Sequence, residues 1–376
     1  MAEVHGTCEA GFEAVRQGLV DSLDAGRDVG ASVVVRVDGQ PVVDIWGGHA
    51  DETRTIPWER DTITNVWSTT KTMTFLCALM LADRGELDFY APVRTYWPEF
   101  AAGGKEAVEV RHIMSHTAGL AGFTEPLQPE DLADWEKCTS LLAAQAPWWE
   151  PGTAAGYHAV TQGYLIGEVV RRITGASIGT WLASEVAGPL GADFHIGLPP
   201  AEDARVSPVI PPGQMDASGQ DPTSIPIRAL TNPPVEASMA NTDWWRRAEI
   251  PAANGHGNAR SVATIQDALA GGGETGGVRL LSEKGCDVVF EEQSNGTDLV
   301  LQVPMRMGMG YGLSGELVPM GPRTCFWGGY GGSLIVMDQD MRLTVCYVMN
   351  RMEGGLVGDL RGPTILMAAV QSALQG

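Results

Sequence analysis

Chemistry in this chain first suggests itself in the stretch NVWSTTKTMTF, residues 65–75, where Ser68 stands three residues before Lys71. Side chains at i and i+3 share one face of a helix. A serine hydroxyl is a poor nucleophile until a base takes its proton. A lysine can be that base only if its pKa is lowered or its proton is passed on. The start of a helix adds unpaired N–H groups and the positive end of the dipole, both suited to an oxyanion. With only two fixed positions, S-x-x-K reads equally as a polar helix start with Ser68 as N-cap, so it needs partners.

Two other stretches supply them. EPGTAAGYHAV puts Tyr157 in a loop just before a helix, from which its hydroxyl could reach both Ser68 and Lys71. Beside an ammonium a phenolate is favoured. CFWGGYGGSLIVM, residues 325–337, is a glycine-rich bend running into a strand; such a bend lets backbone approach a ligand closely and aim N–H groups at it.

Other residues compete. GASIG, 175–179, fits the G-x-S-x-G esterase signature around Ser177. That motif works on a strand–turn–helix elbow, whereas here it lies between two helical patterns. Gly175 therefore reads as a helix stop and Ser177 as the next N-cap. His116 reads as a loop or helix-end histidine. His158, next to Tyr157, is expected to line the pocket. His256 reads as a loop residue or a substrate contact. Trp148-Trp149 reads as packing or as the wall of an apolar pocket. The seven histidines have no metal-binding spacing, and no metal or cofactor is expected.

The elements that would hold these residues follow from pattern and length. The 376 residues carry 44% apolar and 19% charged side chains, a globular balance. A net charge of −21 argues against nucleic acid and anionic membrane surfaces as partners. No signal peptide or apolar span is visible, and the six cysteines show no metal or C-x-x-C spacing, so reduced thiols in the cytoplasm are expected. Residues 8–25 carry Phe12, Val15, Leu19 and Leu23 at helical spacing. Asp38-Gly39 between two β-rich runs predicts a hairpin. A buried helix follows Ser68 and stops at Gly85. TQGYLIGEVVRRITG predicts another helix. Residues 197–257 lack periodicity and read as loops around a site. GSLIVMDQD and LTVCYVMN read as paired strands before a closing helix. Strands at both ends are best buried in one sheet, with the middle inserted. The expected organisation is α+β: a sheet unit from 1–85 and 258–376, and a mostly helical, loop-rich insert over 86–257, with the site in the cleft between them.

Taken in order, these stretches resemble the serine β-lactamase/penicillin-binding-protein superfamily, and within it the class C β-lactamase-like family VIII carboxylesterases. VRHIMSHTAGL (110–120), PGTAAGYHAVTQGYLIGEVVRRITG (151–175), GNARSVATIQDALAGGGETGGVRLLS (257–282), MGMGYGL (307–313) and YVMNRM (347–352) extend the resemblance over most of the chain. It implies an antiparallel sheet flanked by helices, Ser68 as the acylated nucleophile, Lys71 as its proton partner, and Tyr157 as base or relay. It implies that the third motif is Trp327-Gly328-Gly329, and that Tyr330 gives a second oxyanion N–H opposite that of Ser68. Two departures stand out. Trp327 replaces the lysine of K-T-G, which in β-lactamases meets the substrate carboxylate. Ala159 replaces the asparagine of Y-x-N. Both point away from β-lactams and toward neutral, apolar esters as the small-molecule substrate, with oligomeric state left open. An acyltransferase or amidase/peptidase on the same scaffold is the alternative, and a non-catalytic penicillin-binding-like protein a more distant one.

Overall fold

The Asp38-Gly39 hairpin forms as the sequence predicts. It joins β2 (Gly30–Val37) to β3 (Gln40–Gly48). Asp38 and Gly39 have φ of 50° and 75°, the left-handed pair that a tight two-residue turn requires. β2 is buried at consecutive residues, so both faces of the sheet are covered there. The computed structural model describes residues 2–213, 221–354 and 358–375.

The other strands are β1 (Val4–Cys8), β4 (Ser294–Thr297), β5 (Pro304–Met307), β6 (Gly312–Leu313), β7 (Thr324–Gly328), β8 (Leu334–Asp338) and β9 (Leu343–Met349). They build one nine-stranded sheet in the order β1-β3-β2-β9-β8-β7-β6-β5-β4, antiparallel throughout. The two ends of the chain meet in its middle, where β2 pairs with β9 and Val35 faces Val345. The paired strands read from GSLIVMDQD and LTVCYVMN are β8 and β9. Two helices, α1 (Glu13–Asp24) and the C-terminal α6 (Arg361–Ala373), pack on each other and on the sheet; α5 (Ala259–Ala270) packs on β2, β8 and β9. The fold is β-lactamase-like α+β.

The N-terminal reading needs correction. The helix expected over 8–25 begins only at Glu13, and the residues before it form β1 at the edge of the sheet. β1 is mostly exposed and carries no apolar alternation; its main-chain pairing with β3 sets its structure. Gly6 allows that approach, since a Cβ there would lie 2.1 Å from the Asp44 carbonyl.

Three more helices frame the site. α2 (Lys71–Asp83) is buried from Lys71 through Leu81 and ends before Gly85, whose φ is 76°. α3 (Trp135–Ala144) and α2 both pack on α4 (Thr161–Thr174), the amphipathic helix of TQGYLIGEVVRRITG. Within 197–257, the described part is mainly irregular chain with short helices at Ile225–Thr231 and Asp243–Arg247; residues 214–220 lie outside the described residues. Among the described residues no helix is long and apolar enough to cross a membrane.

Candidate active site

Ser68 lies in a one-turn 3₁₀ segment, Trp67–Thr70, that leads into α2. The residue before it, Trp67, has φ of 49°. For a bulky side chain this left-handed backbone costs about 1–3 kcal/mol and persists only where the surroundings enforce it. Here they do. The Val66 N–H donates to the Gly255 carbonyl at 2.9 Å, and the Val66 carbonyl accepts from Ser333 Oγ at 2.9 Å. The Trp67 ring packs edge-on against Tyr330, centroids 5.4 Å apart, and tilted against Trp245 at 5.4 Å. Gly329 passes so close that a Cβ would stand 2.3 Å from the Val66 carbonyl. The second glycine of W-G-G is thus fixed by contact with the Ser68 turn. Ser68 itself makes no capping bond.

Its hydroxyl instead meets Lys71 and Tyr157. Lys71 Nζ lies 3.1 Å from Ser68 Oγ and 3.0 Å from the Tyr157 hydroxyl, which donates to Ser68 Oγ at 2.5 Å. Nζ also donates to the carbonyls of Ala159 at 2.7 Å and Ala252 at 2.9 Å. Lys71 is wholly buried, and burial holds its pKa well below the usual lysine value. Burial likewise pushes the Tyr157 phenol up, beyond what its bond to Ser68 recovers. Burial therefore opposes both charges of the phenolate-beside-ammonium arrangement expected from sequence. In its neutral form the amine has two N–H donors and one lone pair. The two carbonyls can only accept, so they take both donors, and the lone pair is left for the hydroxyls.

The oxyanion side is main chain. Neither the Ser68 N–H nor the Tyr330 N–H has a hydrogen-bond partner among the described residues. Both residues line two cavities, one of about 260 Å³ and one of about 100 Å³, and Tyr157 lines both as well. Trp327, Gly328 and Gly329 line the larger. The Trp327 indole stacks on His116 (centroids 5.5 Å, 19°) and meets Phe75 edge-on at 5.6 Å. Among the described residues lining the two cavities there is no lysine or arginine.

The remaining candidates fall outside these cavities. His158, expected to line the pocket, is fully buried and lines neither cavity. Its Nε2 accepts from the Leu120 N–H at 3.1 Å, which assigns the proton to Nδ1, 2.6 Å from the Gly156 carbonyl. Both nitrogens are occupied by backbone, and burial lowers its pKa to about 3, so it ties two loops together as a neutral ring. His116 accepts from the His158 N–H through Nδ1 and is kept neutral by burial. His256 is buried in a short ladder with Asn65 and hydrogen-bonds the Asn254 carbonyl. Trp148 stacks under Arg228, and the Trp149 indole donates to the Ala154 carbonyl; both are packing residues. Gly175 ends α4 in the left-handed conformation, and Ser177 caps the next helix, its Oγ accepting from the Thr180 N–H and donating to Glu249. Among the described residues no group of histidine, cysteine or acidic side chains is placed to hold a metal ion.

Sequence reading missed the groups that hold the site together. The Ala159 and Ala252 carbonyls leave no mark in residue type. Asp298 is buried and accepts the N–H groups of Tyr157 (3.1 Å), Val300 (2.8 Å) and Leu301 (2.8 Å) on one oxygen, fixing the Tyr157 loop. Only an acidic residue amid apolar ones, DLVLQV, could have hinted at it.

Comparison with known proteins agrees with this geometry. A family model described as Beta-lactamase matches residues 16–369. The fold superposes on the crystal structure of a family VIII carboxylesterase with a TM-score of 0.92, at 43% identity, over 98% of this chain and 100% of the other. A penicillin-binding protein homologue from Caulobacter crescentus gives a TM-score of 0.92 at 37% identity, with 98% and 100% covered. Esterase/beta-lactamase LipL of Mycobacterium tuberculosis is 35% identical over 94% of this chain and 84% of its own length.

Proposed function

The chain belongs to the beta-lactamase family, and within it we propose a serine carboxylesterase that forms an acyl-enzyme on Ser68. The observation that carries this reading is the fully buried Lys71, whose two carbonyl partners leave its lone pair for Ser68. The family VIII carboxylesterase and LipL supply the ester as substrate class.

In the first half, Ser68 passes its proton to the Lys71 amine while Oγ attacks the ester carbonyl carbon. A C–Oγ bond forms and the carbonyl π pair moves onto oxygen, facing the Ser68 and Tyr330 N–H groups. The intermediate collapses by breaking the bond to the alkoxy oxygen. That oxygen takes the proton from Lys71, directly or through the Tyr157 hydroxyl, and leaves as the alcohol. In the second half water attacks the acyl-enzyme and gives its proton to the same pair. Oγ is expelled, recovers the proton, and the carboxylic acid departs. Asp298 keeps Tyr157 in place throughout.

Two substitutions turn the chain from β-lactams. Trp327 offers no positive charge for a substrate carboxylate, and Ala159 has lost the amide side chain while its carbonyl serves Lys71. Residence in the cytoplasm belongs to the same proposal, supported by six free cysteines, five of them buried. The test is Ser68→Ala, which should lower kcat by on the order of 10⁶ with the melting temperature retained. A fluorophosphonate adduct should map to Ser68 by mass spectrometry. Full turnover in Ser68→Ala, or an adduct on Ser177, overturns the reading.

A further inference from the structure

Ser68, Tyr157 and Tyr330 are common to two cavities of unequal size. The reacting carbonyl must sit at that junction, so the two arms of an ester must divide between the cavities. The smaller, at about 100 Å³, offers well under half the space of the larger, at about 260 Å³.

Their walls differ as much as their volumes. No residue lining the smaller cavity is exposed, and its sides include Trp67, Phe123 and Trp245. Trp245 is fully buried, packed on Trp67 and tied by its indole N–H to Asn65 Oδ1 at 2.9 Å. Such a wall cannot yield without repacking. The larger cavity is lined by Met305, Met320 and Met367, flexible side chains that adapt to irregular ligands. Its rim reaches solvent at Leu317 and Met367, which are 42% and 55% exposed. An arm in this cavity can therefore outgrow it and lie along an apolar edge.

Charge narrows the choice further. Among the described residues Asp359 is the one charged residue that lines either cavity, and Arg361 already occupies its carboxylate at 2.6 Å. A charged arm would lose its water and find no partner.

Resting on the ester-hydrolase reading, we infer that this enzyme selects neutral esters with one short arm and the other long and apolar. Which arm is short follows from how the oxyanion orients the carbonyl, and the experiment reads it out. Two series are followed by titration of the released acid: methyl esters of linear C2 to C12 acids, and linear C1 to C12 alkyl acetates. In one series kcat/KM should fall more than about tenfold as the chain outgrows the smaller cavity, a step of the size expected for overfilling a rigid pocket. In the other it should hold or rise past eight carbons. Val235→Ala and Phe123→Ala, in the wall of the smaller cavity, should shift the cut to longer chains in that series alone. Met367→Glu should depress only long members of the tolerant series, about tenfold. Both series cutting at one length, or neither cutting, overturns the inference while leaving Ser68 chemistry intact. Ester turnover that survives in Ser68→Ala would instead strike at the reading beneath it.

Discussion

Two lysines in this protein are wholly removed from solvent, and they are held differently. Lys105 donates to three carbonyls, those of Ala102, Ala143 and Gln145, and packs over the Phe100 ring. Two of those carbonyls belong to the end of α3, where the helix dipole favours a cation. Three acceptors match the three donors of an ammonium. Burial still lowers its pKa to about 8, partly offset by Glu106. Lys71 has only two carbonyls, and its other neighbours are hydroxyls that can donate as well as accept. Both side chains are closed to solvent, yet Lys71 lies deeper, and the Glu106 carboxylate raises at Lys105 part of what burial lowers. The third obligate acceptor around Nζ favours the charged form of Lys105 further.

The strongest way to break that contrast is to remove both amines. Lys71→Met should lower kcat by about 10³-fold or more, the scale of a lost general base. Lys105→Met should leave kcat unchanged and lower the melting temperature, because the buried Ala143 carbonyl loses its donor at about 1–3 kcal/mol before relaxation and two part-buried carbonyls lose theirs at less. A folded Lys105→Met protein as inactive as Lys71→Met would end the distinction. A smaller effect separates the two by pH. Below about pH 8 the proton sits on Lys105 in both folded and unfolded chains, and the burial cost is present in full. Between about 8 and the usual 10.5 the unfolded chain binds more protons, so the contribution of Lys105 to stability rises with pH. The difference in melting temperature between the wild type and Lys105→Met should widen over that window; a constant difference would contradict it. The smallest effect concerns the serines. Ser177→Ala should cost about 1 kcal/mol as a lost cap and leave turnover alone, measured by denaturation and initial rates. Loss of turnover would return the esterase signature to contention.

The sequence was informative where a side chain reports on its own surroundings. The left-handed pair Asp38-Gly39, the apolar stripe of α4 and the i, i+3 spacing of Ser68 and Lys71 are local signals, and the folded chain keeps all three. It was silent where main chain acts. β1 is set by pairing with β3, so its exposed side chains gave no period, and the helix after it was started five residues too early. Trp67 is left-handed because residues around 245, 255, 329 and 333 crowd the turn, which no local pattern records. Lys71 reads as a charged residue in isolation; burial that no local pattern records lowers its pKa, and two remote carbonyls fix where its N–H groups point. His158 was misjudged for the reason that it adjoins Tyr157. Neighbours along an extended segment need not share a face, and its ring turns into the loop behind.

The junction of β2 with β9 has a consequence for how the protein comes into being. The central pair of the sheet joins segments made near the two ends of synthesis, a non-local closure of the kind that slows folding. The turn that carries Ser68 is tied at Val66 to Ser333 and crowded there by Gly329. A growing chain on the ribosome holds Ser68, Lys71 and Tyr157 long before it has the partner that shapes their turn. The shape of that turn thus depends on a partner 267 residues further along the chain.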